Sequence, residues 1–326
     1  MLSRIGNSLF WLGRYLERAE HIARYTRVQY VSSVDAPLGQ NKEVVLESIL
    51  DMAGYRSGYA QAQSQTSQAQ EEQLDEEELI YYTAISEDNP YSILAYINMV
   101  RENARGARDS ISIELWEAIN RFYHKVNQYT AATLQEEGIE SFSRKIEENS
   151  YVIKGYIDNS LLRNEVWKLI SLGIHLERTV QVCKILQTKL KDLEKLDSSL
   201  MGGALENYQW TTTLESTEAF DMYMRCHRTS PTRTHVLDFL LFDKDFPKSL
   251  AYSLDCVKLC IDGITFQSAE RKKESLSFKA GKLASLFQYY TMEELGENKI
   301  SAFLKSTLTS MYELAHLLDV KYLKSN

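Results

Sequence analysis

The chain has few of the residues that interrupt helices, with only four prolines and fourteen glycines among its 326 residues. Proline removes a backbone donor and glycine adds flexibility, so a chain poor in both is suited to long helices. Its apolar residues recur at intervals of three and four rather than two, which is the helical period. We therefore predict an all-α fold, a multi-helix bundle of roughly a dozen helices.

Long apolar runs and a net positive charge are also lacking. No segment reaches the ~20 uninterrupted apolar residues that a membrane span needs. The apolar run 8–13 is followed at once by Arg14 and is too short for a signal peptide. The formal net charge of −8 opposes binding to nucleic acid or to an anionic membrane. We expect a cytoplasmic protein that binds neither.

The sequence also lacks the common motifs of metal and cofactor sites. Its four cysteines have neither disulfide-like nor zinc-like spacing, which favours reduced thiols packed in a core. A Walker loop, a dinucleotide-binding glycine pattern and a nucleophile elbow are absent. We therefore expect no metal and no cofactor, and no motif indicates a reaction.

One short stretch occurs twice. Residues 11–22 read WLGRYLERAEHI and residues 171–182 read SLGIHLERTVQV, sharing Leu-Gly and Leu-Glu-Arg in one register. A second echo relates residues 88–93, DNPYSI, to residues 245–250, DFPKSL. The offsets between copies are 160 residues for the Glu-Arg pair and 157 for the Pro-x-Ser element. Two echoes at nearly one offset predict an internal duplication.

The two halves of this duplication would span about residues 1–160 and 161–326 of a single domain. Each half opens with a Glu-Arg helix. The first of these has an unusually broad apolar arc, so we expect it to be central in the bundle. Residues 55–73 form a Gln/Ser-rich tract with little to bury, which predicts an exposed loop.

The Glu-Arg pairs are the main candidates for function. Arg18 and Arg178 fall on apolar helix faces, where a guanidinium needs a carboxylate partner. A neighbour in sequence points about 100° away on a helix. The repeat therefore suggests crossed pairs, Arg18 with Glu177 and Arg178 with Glu17. These pairs are either an ion-pair lock between the halves or part of a polar cleft with Glu17 and Glu177 as catalytic acid/base groups.

A histidine follows the first Glu-Arg pair. Glu17 and His21 stand four residues apart, a spacing that suits a metal or an acid–base pair. Gln181 takes the place of His21 in the second copy. A lone histidine on a charged helical face is usually solvated, so we predict no metal site here.

The helix after Pro90 carries an arginine-rich face. Arg101, Arg105 and Arg108 recur at successive turns and suit the clamping of a phosphate or carboxylate. The alternative is a solvated face with a weak Arg105–Asp109 ion pair. Asn103 falls in the apolar stripe of this helix, which indicates a buried network or a pocket wall.

Two local boundaries are also predicted. Asp88 or Asn89 caps the arginine-rich helix, with Pro90 at its first position. Residues 210–228 form one continuous helix. The ligand-binding candidates of the whole chain are Arg14, Arg18, His21, Arg101, Glu102, Asn103, Arg105 and Arg178.

Together these segments resemble the alpha-E domain family, bacterial all-helical proteins named for a Glu-Arg motif. The resemblance covers nearly the whole chain. It rests on residues 1–4, 12–20, 89–92 and 101–105, on Trp116, Asn120, residues 176–178 and Trp210, and on Phe239-Leu-Leu241 leading to Pro247-x-Ser249. The second copy departs from the usual Gly-Arg by having Gly173-Ile174.

The resemblance implies a functional setting. Members of the family are encoded beside circularly permuted ATP-grasp ligases and transglutaminase-like proteases, and are sometimes fused to the ligase. This implies an accessory protein that binds an ATP-grasp-type amide ligase or its peptide in a synthesis or modification pathway. The alternatives are an enzyme of that pathway using the Glu and Arg residues, and a structural homo-oligomer.

Overall fold

A computed structural model describes residues 3–35, 42–53, 75–195, 203–265, 275–296 and 299–323. Within these ranges the chain forms fourteen α-helices and no strand, which confirms the predicted all-α bundle. The helices are α1 Ser3–Asp35, α2 Lys42–Ala53, α3 Glu76–Ala84, α4 Ile93–Gly106, α5 Ile113–Val126, α6 Ala131–Ser160, α7 Glu165–Glu194, α8 Ala204–Ser216, α9 Phe220–His227, α10 Arg233–Phe242, α11 Leu250–Thr265, α12 Leu276–Tyr289, α13 Met292–Leu295 and α14 Ile300–Leu318. The predicted loop 55–73 lies outside the described residues.

The two helices that carry the Glu-Arg pairs form the centre of the bundle. Helix α1 packs along α7 and also contacts α2, α4 and α6. Helix α7 contacts α11 and α14 on its other sides. Apolar side chains such as Leu12, Leu16, Leu172 and Leu176 are at most 1% exposed. The central position predicted for the first helix is therefore confirmed.

Two glycines set the distance between α1 and α7. A Cβ atom on Gly13 would lie 2.2 Å from the carbonyl oxygen of Ile170. A Cβ atom on Gly173 would lie 2.2 Å from the carbonyl oxygen of Phe10. Gly13 thus faces Ile170, three residues before Gly173, and Gly173 faces Phe10, three residues before Gly13. The helix crossing therefore has local two-fold symmetry. Only glycine allows the two backbones to approach this closely.

The second sequence echo marks the starts of two helices. Ser92 precedes α4, and its Oγ accepts a hydrogen bond from the Ala95 backbone N–H at 3.2 Å. Ser249 precedes α11, and its Oγ accepts from the Tyr252 N–H at 3.1 Å. Both serines are therefore N-caps.

The predicted cap at Asp88 or Asn89, with Pro90 as the first helical residue, is wrong. The buried Asn89 side chain is used elsewhere: Nδ2 donates to the Tyr82 carbonyl at 3.0 Å, and Oδ1 accepts from the Tyr91 N–H at 3.0 Å. Asn89 thereby fixes the turn that precedes the helix, and the helix itself begins after the serine.

The prediction of one helix over residues 210–228 is also wrong. Helix α8 ends at Ser216 and α9 begins at Phe220. Between them Glu218 has a φ of 55°, a left-handed conformation that is uncommon for a residue other than glycine. This conformation accompanies ion pairs of the Glu218 carboxylate with Lys248 and Arg24.

Two buried carboxylates at the α1–α7 interface

The Glu-Arg pairs are crossed between the two central helices, as predicted. Arg18 donates from Nε to Glu177 Oε1 at 2.6 Å and from Nη2 to Oε2 at 2.9 Å. Arg178 donates from Nε to Glu17 Oε1 at 2.6 Å. The close glycine crossing brings each arginine within reach of the carboxylate on the opposite helix.

We call Glu177 and its partners Arg14, Arg18 and Gln181 the Glu177 cluster. Arg14 Nη2 lies 2.7 Å from Glu177 Oε2, and Gln181 Nε2 donates to Oε1 at 2.7 Å. Glu177 is completely buried. Burial alone would raise the pKa of its carboxyl, but the Arg18 and Arg14 guanidinium groups hold that pKa well below its usual range. Glu177 is therefore ionised at neutral pH.

We call Glu17 and its partners His21, Lys154 and Arg178 the Glu17 cluster. Lys154 Nζ lies 2.5 Å from Glu17 Oε2, and His21 Nε2 lies 3.2 Å from Oε1. Burial tends to raise the pKa of the Glu17 carboxyl, yet Arg178 and Lys154 lower it well below the usual value. This carboxylate is ionised as well.

His21 is buried rather than solvated, contrary to the expectation from its charged helical face. Burial lowers the pKa of the imidazole, which favours the neutral ring. An ionised carboxylate only accepts hydrogen bonds, so Nε2 carries the ring proton and donates it to Glu17. The buried Nδ1 then has no hydrogen-bond partner among the described residues.

The Glu17 cluster continues into a larger ion-pair network. Arg24 Nη2 donates to Glu20 Oε1 at 2.7 Å and to the Tyr151 hydroxyl at 2.6 Å, and its Nε donates to Glu147 Oε2 at 2.9 Å. Glu20 also contacts both Lys154 and Lys248. The network reaches solvent at Glu218, whose side chain is 45% exposed.

Sequence reasoning missed this network. Its partners lie on α1, on α6 and in the loops before α9 and α11, far apart along the chain. The only local signal is the spacing of Glu20 and Arg24, four residues apart on one helix, which is typical of an intrahelical ion pair.

Neither motif carboxylate is itself exposed to solvent, as an acid/base group in contact with a substrate would be. Both Glu17 and Glu177 are 0% exposed and hydrogen-bonded to cations. The grooves that the described residues form between α12 and α14, between α5 and α6, and between α3 and α6 are lined by other side chains. The arrangement suits holding two helices together rather than exchanging protons with a substrate.

The arginine-rich face of α4 does not join the Glu-Arg pairs. Arg101 donates from Nε to Asn120 Oδ1 on α5 at 2.9 Å, and its guanidinium stands 4.5 Å from the Tyr123 ring centroid. Arg105 turns instead to Glu102, at 2.5 Å. Arg101 and Arg108 both lie beside the Trp116 ring, 5.9 and 5.3 Å from its centroid, and the three-arginine clamp for an anion stays a prediction. Among the described residues Arg105 pairs with Glu102 rather than with Asp109.

Asn103 is not part of a buried network. Its side chain is only half-buried, and Nδ2 donates to the Met99 carbonyl of the same helix at 2.8 Å. The side-chain amide of Asn103 therefore donates to a carbonyl one turn earlier in its own helix. Its place in the apolar stripe requires no partner on another helix.

Two further properties bear on function. Across the described ranges, no helix is long and apolar enough to cross a membrane. In the same ranges, no group of three or more His, Cys, Asp or Glu side chains is placed to hold a metal ion.

Curated relatives occur in mycobacteria. An uncharacterised protein of Mycobacterium bovis is 23% identical over 329 aligned positions, covering 97% of this chain but 36% of the relative. Two uncharacterised proteins of Mycobacterium tuberculosis match over the same length at 23% and 22% identity. The chain thus spans about a third of the length of these relatives. No solved structure matches it.

The family comparison agrees with the paired Glu-Arg helices. Residues 1–323 match the Alpha-E family, described as a predicted alpha-helical domain with a conserved ER motif. Glu17-Arg18 and Glu177-Arg178 provide two such pairs, each bridging to the other. The chain belongs to the Alpha-E family.

Proposed function

We propose that this chain is a helical accessory protein that binds an ATP-grasp-type amide ligase. The observation that carries the proposal is the complete burial of both motif carboxylates in ion pairs between α1 and α7. Such residues hold the bundle together and leave function to its surface. The same burial counts against an enzyme with Glu17 and Glu177 as acid/base groups.

A surface suited to a protein partner lies away from the Glu-Arg pairs. A groove of about 650 Å³ runs between α12 and α14, with Phe303 and Leu314 among its lining residues. Leu286 and Tyr289 are exposed at its edge, by 40% and 78%. Exposed large apolar side chains grouped at one groove are typical of interaction sites.

The relatives support a protein partner as the occupant of this groove. In each mycobacterial relative the matched region is 36% of the chain, so nearly two thirds of the polypeptide lies outside it. An Alpha-E region that occurs within a longer chain has a neighbouring polypeptide available for contact. A ligase encoded beside the gene would occupy the equivalent position here.

The binding test compares an exposed apolar residue that lines the groove with one that does not. Tyr289→Asp changes the groove, whereas Ile113→Asp changes the start of α5, where Ile113 is 73% exposed. We expect isothermal titration with the purified ligase to show binding by the wild type and the Ile113 variant. The Tyr289 variant should bind at least tenfold more weakly, about 1.4 kcal/mol.

Three outcomes would contradict the proposal: no binding by the wild type, equal loss in both variants, or no loss at Tyr289→Asp. If the wild type binds the ligase's peptide product but not the ligase, the partner is the peptide instead. Urea unfolding of each variant verifies that the substitutions leave the fold intact.

The internal duplication is part of the same proposal. The reciprocal glycine contacts, the crossed ion pairs and the two serine caps support an origin from one repeated helical unit. Superposition of α1 and α4 onto α7 and α11 tests it. A common rotation that also places α6 on α14 would support duplication, whereas unrelated rotations would contradict it.

A further inference from the structure

The Glu177 cluster has more cations than carboxylates. Arg14 and Arg18 both bind Glu177, and Lys184 lies two turns further along α7 on the same face. Burial lowers the pKa of the Lys184 ammonium group, and the Glu177 charge opposes that shift. Among the described residues no carboxylate forms an ion pair with Lys184. Two cations thus bind one carboxylate, and a third lies close enough to feel its charge.

The corresponding position in the first half shows what is missing. Arg24 precedes Lys184 by 160 residues, the offset of the Glu-Arg repeat. It forms ion pairs with Glu20, Glu147 and Glu218. Val180 stands where the repeat places Glu20, so the second half lacks the intrahelical partner. Lys184 remains a partly buried cation without a compensating anion.

Aromatic side chains surround the same cations. Tyr15 stacks between Trp11 and Tyr96, with ring centroids 5.0 and 5.9 Å away. The Arg18 guanidinium stands 5.3 Å from the Tyr96 ring centroid. The Glu177 charge and those of Arg18 and Arg14 act on the Tyr312 hydroxyl from α14, although burial is the main cause of its raised pKa. Tyrosine hydroxyls therefore add hydrogen-bond donors near the cations.

This group of side chains is open to solvent on one side. Tyr91 and Tyr312 are 41% and 47% exposed, and the Arg18 side chain is 20% exposed. Arg14 binds Glu177 through Nε and Nη2. Its Nη1 has no hydrogen bond among the described residues. Donors and positive charge are thus available to a small molecule where these side chains of α1, α4 and α14 reach solvent.

We propose that this partly exposed group of side chains binds the phosphate group of a small phosphorylated molecule, held by Arg14, Arg18 and Lys184. With Glu177 ionised, the three cations leave two positive charges uncompensated. A phosphate monoester carries close to two negative charges at neutral pH and balances them, whereas a single carboxylate leaves one cation unpaired. Glu177 is a positioning residue that orients the two guanidinium groups. This ligand site goes beyond the accessory function and does not depend on the ligase.

The test uses phenyl phosphate, which combines a dianion with a ring suited to the tyrosines. Calorimetric titration at fixed ionic strength should show saturable binding to the wild type. Lys184→Met removes the unpaired cation but keeps a side chain of similar length, and should weaken binding at least tenfold. Lys191→Met is the matched control, because Lys191 is on the same helix but exposed and paired with Asp51. It should bind like the wild type.

Two further measurements make the result decisive. Tyr312→Phe keeps the ring and removes the hydroxyl, and should weaken binding severalfold while thermal unfolding stays unchanged. Benzoate, a monoanion on the same ring, should bind at least tenfold more weakly than phenyl phosphate. The proposal is overturned if the wild type does not bind phenyl phosphate, if Lys184→Met binds like the wild type, or if benzoate binds equally well.

Discussion

The two motif carboxylates occupy equivalent places on α1 and α7 but different electrostatic surroundings. Glu17 shares Lys154 with Glu20, and its guanidinium partner Arg178 also donates to the Pro247 carbonyl. Among the residues that the structure describes, Arg14 and Arg18 form ion pairs with Glu177 and with no second carboxylate. The geometry of the helix crossing is thus symmetric while the distribution of charge is not. At the Glu17 end four carboxylates pair with five cations, whereas at the Glu177 end three cations share one carboxylate.

The largest expected effect comes from removing the carboxylate that has no substitute. Glu177→Gln leaves one buried and one partly buried guanidinium group without an anion and should lower the free energy of unfolding by about 3–5 kcal/mol. Glu17→Gln should lower the free energy of unfolding by less, about 1–3 kcal/mol. In this variant Lys154 still pairs with Glu20, and Arg178 still donates to the Pro247 carbonyl. Urea unfolding of both variants measures the difference. Equal losses would show that the two ends are energetically alike.

Removing the corresponding cations should have opposite effects at the two ends. Arg24→Met leaves three carboxylates short of a partner and should destabilise the fold by about 3 kcal/mol. Lys184→Met removes a partly buried cation that lacks a carboxylate and should stabilise it by about 1 kcal/mol. Urea unfolding in phosphate-free buffer checks both. A loss of stability in the Lys184 variant would contradict the charge surplus.

The glycine crossing should respond equally from both sides. Gly13→Ala and Gly173→Ala each place a methyl group against a backbone carbonyl, so each should cost about 2–3 kcal/mol. Gly155→Ala on α6 is the control, because a Cβ there meets nothing within 4 Å, and it should stabilise by about 0.5–1 kcal/mol. Thermal unfolding of the three variants tests this. If Gly13→Ala and Gly173→Ala lowered the free energy of unfolding by different amounts, the two sides of the crossing would be alike in geometry but not in stability.

The remaining effect is the loss of stability in acid, which should arise at the Glu17 end of the α1–α7 interface. Burial, helped by Arg178, lowers the pKa of His175 to about 3, whereas an unfolded histidine has a pKa near 6.5. Below pH ~6.5 the unfolded chain takes up a proton that the folded chain does not, so stability falls as pH falls. From pH 7 to pH 5 this histidine alone should account for about 2 kcal/mol.

Substitution separates this contribution from that of other groups. His175→Phe should reduce the loss of stability between pH 7 and pH 5 by about that amount, as followed by urea unfolding at each pH. His124→Phe, at an exposed position on α5, should leave the loss unchanged. Tyr15, which lies 160 residues before His175, has a raised pKa and does not titrate in this range. If both histidine variants retain the full loss, another group governs the acid response.

The sequence was most informative where the repeat supplied long-range information. Arg18 and Arg178 lie on apolar helix faces and therefore need carboxylate partners. The register of the repeated segment correctly predicted Glu177 as the partner of Arg18 and Glu17 as the partner of Arg178. The all-α class followed from the scarcity of proline and glycine. Both inferences depend on local pattern combined with a physical requirement that buried charge be paired.

The rest depended on contacts that no local pattern encodes. Lys154 and Lys248 reach Glu20 from 134 and 228 residues away, so only the tertiary fold brings them together. Helix starts were displaced because Asn89 had two backbone partners of its own and Ser92 was free to cap. The helix break at Glu218 could not be predicted from a glycine or a proline. The residue in the left-handed conformation is a glutamate, and its carboxylate pairs with Lys248.

The close glycine crossing also has a consequence for the order in which the chain acquires stability during synthesis. Helix α1 leaves the ribosome well before α7. About 150 further residues must be synthesised before the partners of Arg14, Arg18 and Glu17 are available. Until then the motif side chains of α1 lack the ion-pair partners that α7 supplies. A nascent chain stalled after residue 160 should therefore remain protease-sensitive, and one extended past α7 should become resistant in a single step.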